Sequence, residues 1–168
     1  RYAAVGVAEL RLELFGGRSL IEHRAGNENG LMVAERLRAA GFGGCWVIGL
    51  GTNDAANVAK DRTIAPAERI ARMMAIVGDA PVLWIDAVTR RSDGYWAQEN
   101  MAAWNAERAP DAGRAREGDH PHARIYAWSA EIRDEWFVGD GIHYSSAGYA
   151  ARAERVARAL ASAFPAGE

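Results

Sequence analysis

The sequence predicts an α/β fold, in which helices cover both faces of a doubly wound parallel sheet to give three layers, α/β/α. The main observation is that apolar residues change repeatedly between the spacing of a buried strand and the 3.6-residue spacing of a helix. A chain of 168 residues also suits one core and is short for two, so residues 1–168 are interpreted as a single domain. The composition, 49% hydrophobic and 25% charged, is ordinary for a globular domain.

The first third of the chain predicts a strand, a helix and a second strand. Leucines alternate with charged residues over 10–14, which indicates a half-buried strand that ends at the Gly16-Gly17 break. Apolar residues on one face predict a helix over 31–40, with Gly41 as its C-terminal cap. The short apolar run Cys45–Leu50 predicts a strand that is buried on both faces.

The rest of the chain continues the alternation. Pro66 begins a helix that Gly78 ends, and the apolar residues between them have helical spacing. The remaining predicted elements are a strand over Val82–Ile85, a helix over about 96–108, a strand over Arg124–Trp128 and a C-terminal helix whose apolar face holds Tyr149, Ala153, Val156, Leu160 and Phe164. The polar stretch 109–123 is interpreted as a long loop.

Charge and cysteine content exclude several classes of protein. A formal net charge of -2, with arginines spread along helices, gives no reason to expect a nucleic-acid partner. No apolar run reaches the roughly 20 residues of a membrane-spanning helix, and the lone Cys45 has no partner for an internal disulfide. The pair His120 and His122, next to Asp119, has the residue types of a metal site, but a polar His-Pro-His loop is more often solvated surface. No metal or cofactor is expected.

Three short blocks carry the residues that indicate chemistry. Asp140-Gly-Ile-His143 puts a carboxylate and an imidazole on one turn. The block Gly-Leu-Gly-Thr-Asn-Asp, residues 49–54, contains Asn53, and the block 16–19 contains Gly17. Each block follows a predicted strand, and ligands of parallel α/β sheets bind beyond the carboxyl ends of the strands. We therefore expect the three blocks to meet at one edge of the sheet.

These blocks, in this order and over nearly the whole chain, resemble those of the SGNH (GDSL-type) hydrolases, a family named for a Ser, a Gly, an Asn and a His. The resemblance implies a flavodoxin-like fold and hydrolysis of a small-molecule or carbohydrate-linked acyl ester. It makes Asp140 and His143 the acid and base of a catalytic triad. It also makes the Gly17 N–H and the Asn53 amide the donors of an oxyanion hole. Some members modify cell-envelope polysaccharides, which slightly favours an extracytoplasmic or cell-envelope location.

The family's nucleophilic serine is the block that this chain lacks. Residues Arg1–Phe15 precede the glycine block and contain no serine. A crossover between parallel strands needs a dozen or more residues, so Tyr2–Val7 is interpreted as the tail of a helix. The first strand and its serine are then expected upstream, which leaves residues 1–168 inactive on their own. In the alternative, Ala8 replaces the serine, and the chain is a non-catalytic module that binds a carbohydrate or lipid ester.

Other candidates have structural interpretations that compete with functional ones. Ser145 and Ser146 precede a helix and are expected to be N-caps. Ser19 lies beside the proposed oxyanion donor, where attack on the substrate is geometrically poor, and capping or turn formation is the favoured role of Asp54. The tryptophans could line an acyl pocket but are more often core residues; they are Trp84, Trp96, Trp104, Trp128 and Trp136.

Overall fold

A computed structural model describes residues 1–23, 26–61, 64–107 and 121–165, and it confirms the α/β class. The sheet of these residues has three parallel strands in the order β1 (Trp46–Ile48), β2 (Val82–Ile85) and β3 (Ala123–Tyr126). Their spatial order follows the chain order, so the described strands do not include the reversal of a doubly wound sheet. The carboxyl ends of all three strands share one edge.

The described residues also form five α-helices: one precedes β1, two lie between β1 and β2, one lies between β2 and β3, and one follows β3. They are α1 (Gly30–Ala39), α2 (Thr52–Ala59), α3 (Pro66–Val77), α4 (Gln98–Ala106) and α5 (Ser146–Ala163). Short 3₁₀ turns occur at Ala3–Val5, Trp128–Ala130 and Asp134–Trp136. Within the described part of the chain, no helix is both long and apolar enough to cross a bilayer.

Strand β2 divides the core into two layers because its side chains alternate between the faces of the sheet. Val82 and Trp84 pack in a cluster with residues of α1, α3 and α4. Leu83 and Ile85 pack in a second cluster with α5 and the 3₁₀ turns. Helices therefore cover both faces, as the three-layer prediction requires.

The helix ends follow local sequence signals. The side chain of Asn29 accepts a hydrogen bond from the Met32 N–H and caps α1, and Gly41 follows α1 with a φ of 81°. Pro66 is the first residue of α3, and Gly78 ends it with a φ of 65°. These boundaries confirm the predicted helices over 31–40 and 66–77 within one residue. Helix α2, in contrast, was not predicted.

The predicted strand over residues 10–14 is wrong. This segment forms no ladder, and its apolar side chains are exposed, to 63% at Leu12 and 82% at Leu14. The physical reason is that an alternating pattern becomes a strand only beside a partner, and no described strand pairs with residues 10–14. The helix tail expected over Tyr2–Val7 is a single 3₁₀ turn over Ala3–Val5.

Three further elements also differ from the prediction. Strand β1 covers Trp46–Ile48 rather than Cys45–Leu50, and Cys45 and Val47 are exposed although a strand buried on both faces was expected. Strand β3 begins and ends earlier than Arg124–Trp128, since Trp128 starts a 3₁₀ turn and is fully buried. The helix expected over 96–108 covers Gln98–Ala106. Most of the predicted loop 109–123 lies outside the described residues.

Candidate active site

The turn Asp140–His143 brings its carboxylate and imidazole into direct contact. Asp140 Oδ2 lies 2.6 Å from His143 Nδ1. The other carboxylate oxygen, Oδ1, accepts hydrogen bonds from the backbone N–H groups of Ile142 at 2.8 Å and His143 at 2.9 Å. One carboxylate therefore holds both the backbone and the ring of the histidine, which favours a proton on Nδ1 and leaves Nε2 as the basic nitrogen.

Hydrogen bonding also determines the charge state of Asp140. The hydrogen bond to the His143 side chain, followed by those from the backbone N–H groups, lowers the pKa of Asp140 to about 2. The carboxylate is therefore ionised wherever an imidazole could serve as a base. Both side chains remain accessible, with 66% of the His143 side chain and 43% of the Asp140 side chain exposed.

The turn is attached to the loop that follows β2. The Arg90 N–H donates to the Gly141 carbonyl at 2.6 Å, and Gly141 has a φ of 67°. A Cβ on residue 141 would lie 3.3 Å from the Arg90 carbonyl carbon, so glycine serves both the backbone angle and the close approach. A bridge between Phe137 and Tyr144 closes the loop. The acid–base pair is thus mounted on the carboxyl edge of the sheet.

The second half of the candidate site is formed by the glycine block and the start of α2. Asn53 lies in the first turn of α2, where the helix dipole favours negative charge. Its amide Nδ2 donates to the Arg18 carbonyl at 3.3 Å, so the two blocks are in contact. Gly17 has a φ of 77°, and its N–H has no acceptor among the described residues. The structure therefore places Asn53 against the glycine block.

Asp54 holds the glycine block against α2. Its two carboxylate oxygens accept the Leu20 N–H at 2.9 and 3.1 Å, and Oδ1 also lies 3.2 Å from Arg69 Nη1. Arg69 in turn donates to the Glu22 carboxylate at 2.7 Å. Asp54 and Arg69 are buried, at 0% and 1% exposure. This ionic network, Glu22–Arg69–Asp54, fixes the segment that follows Gly17. The side chain of Asp54 does not cap α2, so the capping role favoured from the sequence is wrong.

Burial and pairing act in opposite directions within the network. Burial raises the pKa of Asp54 to about 6, although the Leu20 N–H and Arg69 act against this shift. Partial burial would also raise the pKa of Glu22, but hydrogen bonds from Arg69 and Ser19 outweigh it and lower that pKa to about 2. As the pH rises, Glu22 therefore loses its proton before Asp54 does.

The two halves do not touch each other directly within the described ranges. No hydrogen bond or ring contact joins His143 to Asn53 or Gly17 there. The link between them is Arg152 of α5, whose guanidinium lies against Gly49, at the beginning of the Asn53 block, and near the Tyr144 ring, 6.0 Å from its centroid. The loops that follow β1 and β3 thus approach the same side chain.

The serines occupy structural positions. Every serine of the chain lies in the described ranges, and none is hydrogen-bonded to His143. Ser145 caps α5 by accepting the Gly148 N–H at 3.2 Å, as expected, whereas Ser146 is the first helical residue and not a second cap. Ser19 is 3% exposed and donates to the Glu22 carbonyl, and Ser129 binds Asp86. No nucleophile is therefore presented to the imidazole.

The structure gives less support to the metal site and the tryptophan-lined pocket that the sequence suggested. Within the described residues, no three His, Cys, Asp or Glu side chains form a group that could hold a metal ion. Asp119 and His120 lie outside those residues. Trp84, Trp104 and Trp128 are core residues with at most 2% exposure. A cleft of about 150 Å³ lies beside Trp104, between α2 and α4, and none of the candidate site residues lines it.

Two arginines of the site region were missed from the sequence. Arg69 is one turn before Met73 on the buried face of α3, and Arg152 is one turn before Val156 on the buried face of α5. A charged residue on an apolar helix face was the available signal for both. The groups that they contact come from distant segments, which spacing along the chain does not reveal.

Comparisons of the chain with protein-family models, with curated proteins and with solved structures gave no match. The functional argument therefore depends on the motif residues and their geometry. The Asp140–His143 contact and the Asn53–Arg18 contact are its structural support.

Proposed function

We propose that the chain is the main part of an acyl-ester hydrolase of the SGNH (GDSL) type, with a flavodoxin-like fold. In this proposal His143 is the general base, and Asp140 orients it and stabilises the imidazolium that forms. The Gly17 N–H and the Asn53 amide stabilise the oxyanion. The substrate is a small-molecule or carbohydrate-linked acyl ester, and the reaction needs no metal or cofactor.

The observation that carries this proposal is the 2.6 Å contact between Asp140 Oδ2 and His143 Nδ1. A hydroxyl becomes a useful nucleophile when a neutral imidazole removes its proton during attack. A carboxylate on Nδ1 holds the tautomer whose Nε2 can accept that proton, and it compensates the positive charge that follows. Because the pKa of Asp140 is lowered to about 2, the carboxylate keeps this role over the whole range in which esters are assayed.

The Asn53 half supplies the complementary electrostatics. Attack on an ester places negative charge on the former carbonyl oxygen, and donors that already point at this position lower the barrier. In this proposal the Gly17 N–H, which has no acceptor among the described residues, and the Asn53 amide serve as such donors, and the start of α2 adds the positive end of a helix dipole. Asn53 keeps one amide hydrogen after its bond to Arg18.

The nucleophilic serine is proposed to come from a segment upstream of residues 1–168, because none of the serines within them is hydrogen-bonded to His143. The same observation favours a second candidate. A chain with Ala8 in place of the serine would be a non-catalytic module that binds a carbohydrate or lipid ester at the same rim. The hydrolase would hydrolyse its ester, whereas the binding module would bind the ester without hydrolysing it.

Hydrolysis of p-nitrophenyl acetate tests the proposal. A form that includes the upstream serine segment should release p-nitrophenol, residues 1–168 alone should not, and His143→Ala should abolish release. The matched control is His122→Ala, an exposed histidine at the start of β3. Full activity of the His143→Ala variant would refute the assignment. Saturable ester binding without turnover in the longer form would favour the binding module.

A further inference from the structure

Arg152 is a cation of the site region that forms no ion pair with any described residue. Its guanidinium reaches the carboxyl end of β1, where a Cβ on residue 49 would lie 2.9 Å from Nη2 and 3.6 Å from Nη1. Its charge is felt by two nearby tyrosines: burial raises the pKa of both Tyr2 and Tyr144, and Arg152 opposes the rise. Arg152 is therefore surrounded by glycine backbone and aromatic rings.

The hydrogen-bonding capacity of this guanidinium is unused within the described part of the chain. Its Nε is buried and has no hydrogen-bond partner, and no carboxylate there forms an ion pair with it. The neighbouring arginines of α5 differ, since Arg155 pairs with Glu131 at 3.1 Å and Arg158 pairs with Glu154 at 3.1 Å. Leaving the Nε–H group buried without an acceptor costs free energy, so the position favours an acceptor from outside the described residues.

The location indicates which molecule supplies the acceptor. Gly49 begins the block that leads to Asn53, and Tyr144 follows His143 directly. A ligand that reaches Arg152 would therefore lie at the same edge of the sheet as both halves of the candidate site. Glycine at position 49 leaves the space that the guanidinium occupies, because any larger side chain would meet Nη2.

We infer that Arg152 binds an anionic oxygen group, a carboxylate or a phosphate, of the molecule that occupies the candidate site. A guanidinium presents its donors in a planar fork that matches both groups. The inference rests on the proposed function in one respect: if the site hydrolyses esters, its substrate is an acyl ester that carries a negative charge away from the scissile bond. Anion binding itself requires no hydrolysis.

The binding can be measured on residues 1–168 by following the Nε–Hε signals of arginines in a ¹⁵N-labelled sample. The Arg152 signal is identified by its absence from the Arg152→Lys variant. Acetate and inorganic phosphate are added at constant ionic strength, balanced with chloride. The Arg152 signal should move saturably, with a dissociation constant of about 1 mM, as for a weak small-anion complex. Comparison of the dissociation constants of acetate and phosphate shows whether the site prefers a carboxylate or a phosphate.

Matched variants separate this site from general charge. Arg158→Gln, an exposed arginine of the same helix, should leave the shift of the Arg152 signal unchanged, whereas Gly49→Ala should abolish saturation because its Cβ displaces the guanidinium. The Gly49 variant tests the site without replacing Arg152 itself. A non-saturating shift, or an equal shift of the Arg158 signal, would overturn the inference.

The outcome is independent of the hydrolase proposal. Binding that persists in His143→Ala, together with no ester turnover in the longer form, would refute the hydrolase and leave the anion site. Ester turnover without anion binding would support the hydrolase proposal and refute the anion site. In an active form, Arg152→Gln should lower kcat/KM for 4-carboxyphenyl acetate about 10- to 100-fold more than it lowers kcat/KM for phenyl acetate, which has no charge for Arg152 to bind. This ratio is the effect of one charge-assisted hydrogen bond.

Discussion

Replacement of Arg69 by methionine should be among the most destabilising single changes in the described structure. Arg69 is 1% exposed and contacts the fully buried Asp54, the half-buried Glu22 and the Ile64 carbonyl. Methionine retains much of the side-chain volume but removes the cation, which leaves a buried carboxylate without compensation. Breaking a buried pair in this way costs about 3–5 kcal/mol, a large part of the roughly 5–15 kcal/mol that stabilises a typical domain.

The loss should depend on pH because Asp54 can take up a proton. Its pKa is about 6 in the folded chain, against about 3.9 when unfolded, and removal of Arg69 raises the folded value further. Between these values the folded variant holds a proton that the unfolded chain has released, so the variant loses stability as pH rises. The difference between wild type and variant should therefore be larger at pH 8 than at pH 5.

Urea unfolding followed by tryptophan fluorescence measures both effects. The control is Arg72→Met on the same helix, because Arg72 forms an exposed ion pair with Glu68 that is worth about 0.3–0.5 kcal/mol. If the free energies of unfolding of the two variants agree within about 1 kcal/mol at pH 8, the reasoning from burial is wrong. Equal losses at pH 5 and pH 8 would contradict the role of Asp54 as the group that titrates.

Three further predictions concern catalysis and packing. Asn53→Ala should lower kcat of the active form about 10²–10³-fold with little change in KM. The control Asn57→Ala, one turn later on α2, should leave kcat unchanged, and a change in KM alone would make Asn53 a binding residue. Gly148→Ala should cost about 1–3 kcal/mol in thermal unfolding because its Cβ would lie 2.4 Å from the Trp136 carbonyl oxygen, whereas Gly43→Ala, with nothing within 4 Å, should cost little. Ser145→Ala should cost about 1 kcal/mol through loss of the α5 cap, and an equal loss in Ser146→Ala would contradict that assignment.

Local signals in the sequence were sufficient for most of the helices and for the central strand. Pro66 and Gly78 mark the ends of α3 because proline suits a first helical turn and glycine adopts the positive φ beyond the last. Val82–Ile85 was predicted without error because it is buried on both faces, so its apolar run has no polar interruption. The turn Asp140–His143 could also be predicted from the sequence, since its two interacting side chains are only three positions apart along the chain.

The failures share a different physical cause, namely partners that are distant along the chain. The alternation at Leu10–Leu14 is typical of a strand, but pairing depends on a neighbour in the sheet and not on the segment itself. Asp54 follows Asn53 and suits a helix cap, yet its partners Leu20 and Arg69 come from other elements. Likewise, nothing near Arg152 in the sequence indicates that its guanidinium lies against Gly49.

The position of β2 determines which part of the domain should open last to hydrogen exchange. β2 is paired on both edges and covered on both faces, whereas Val47 of β1 and Ile125 of β3 are 37% and 40% exposed. Amide protons of Leu83 to Ile85 should therefore exchange with deuterium last, through the largest openings of the domain. Because Arg90 follows this strand and holds Gly141, the acid–base turn is anchored to the slowest-exchanging part of the sheet.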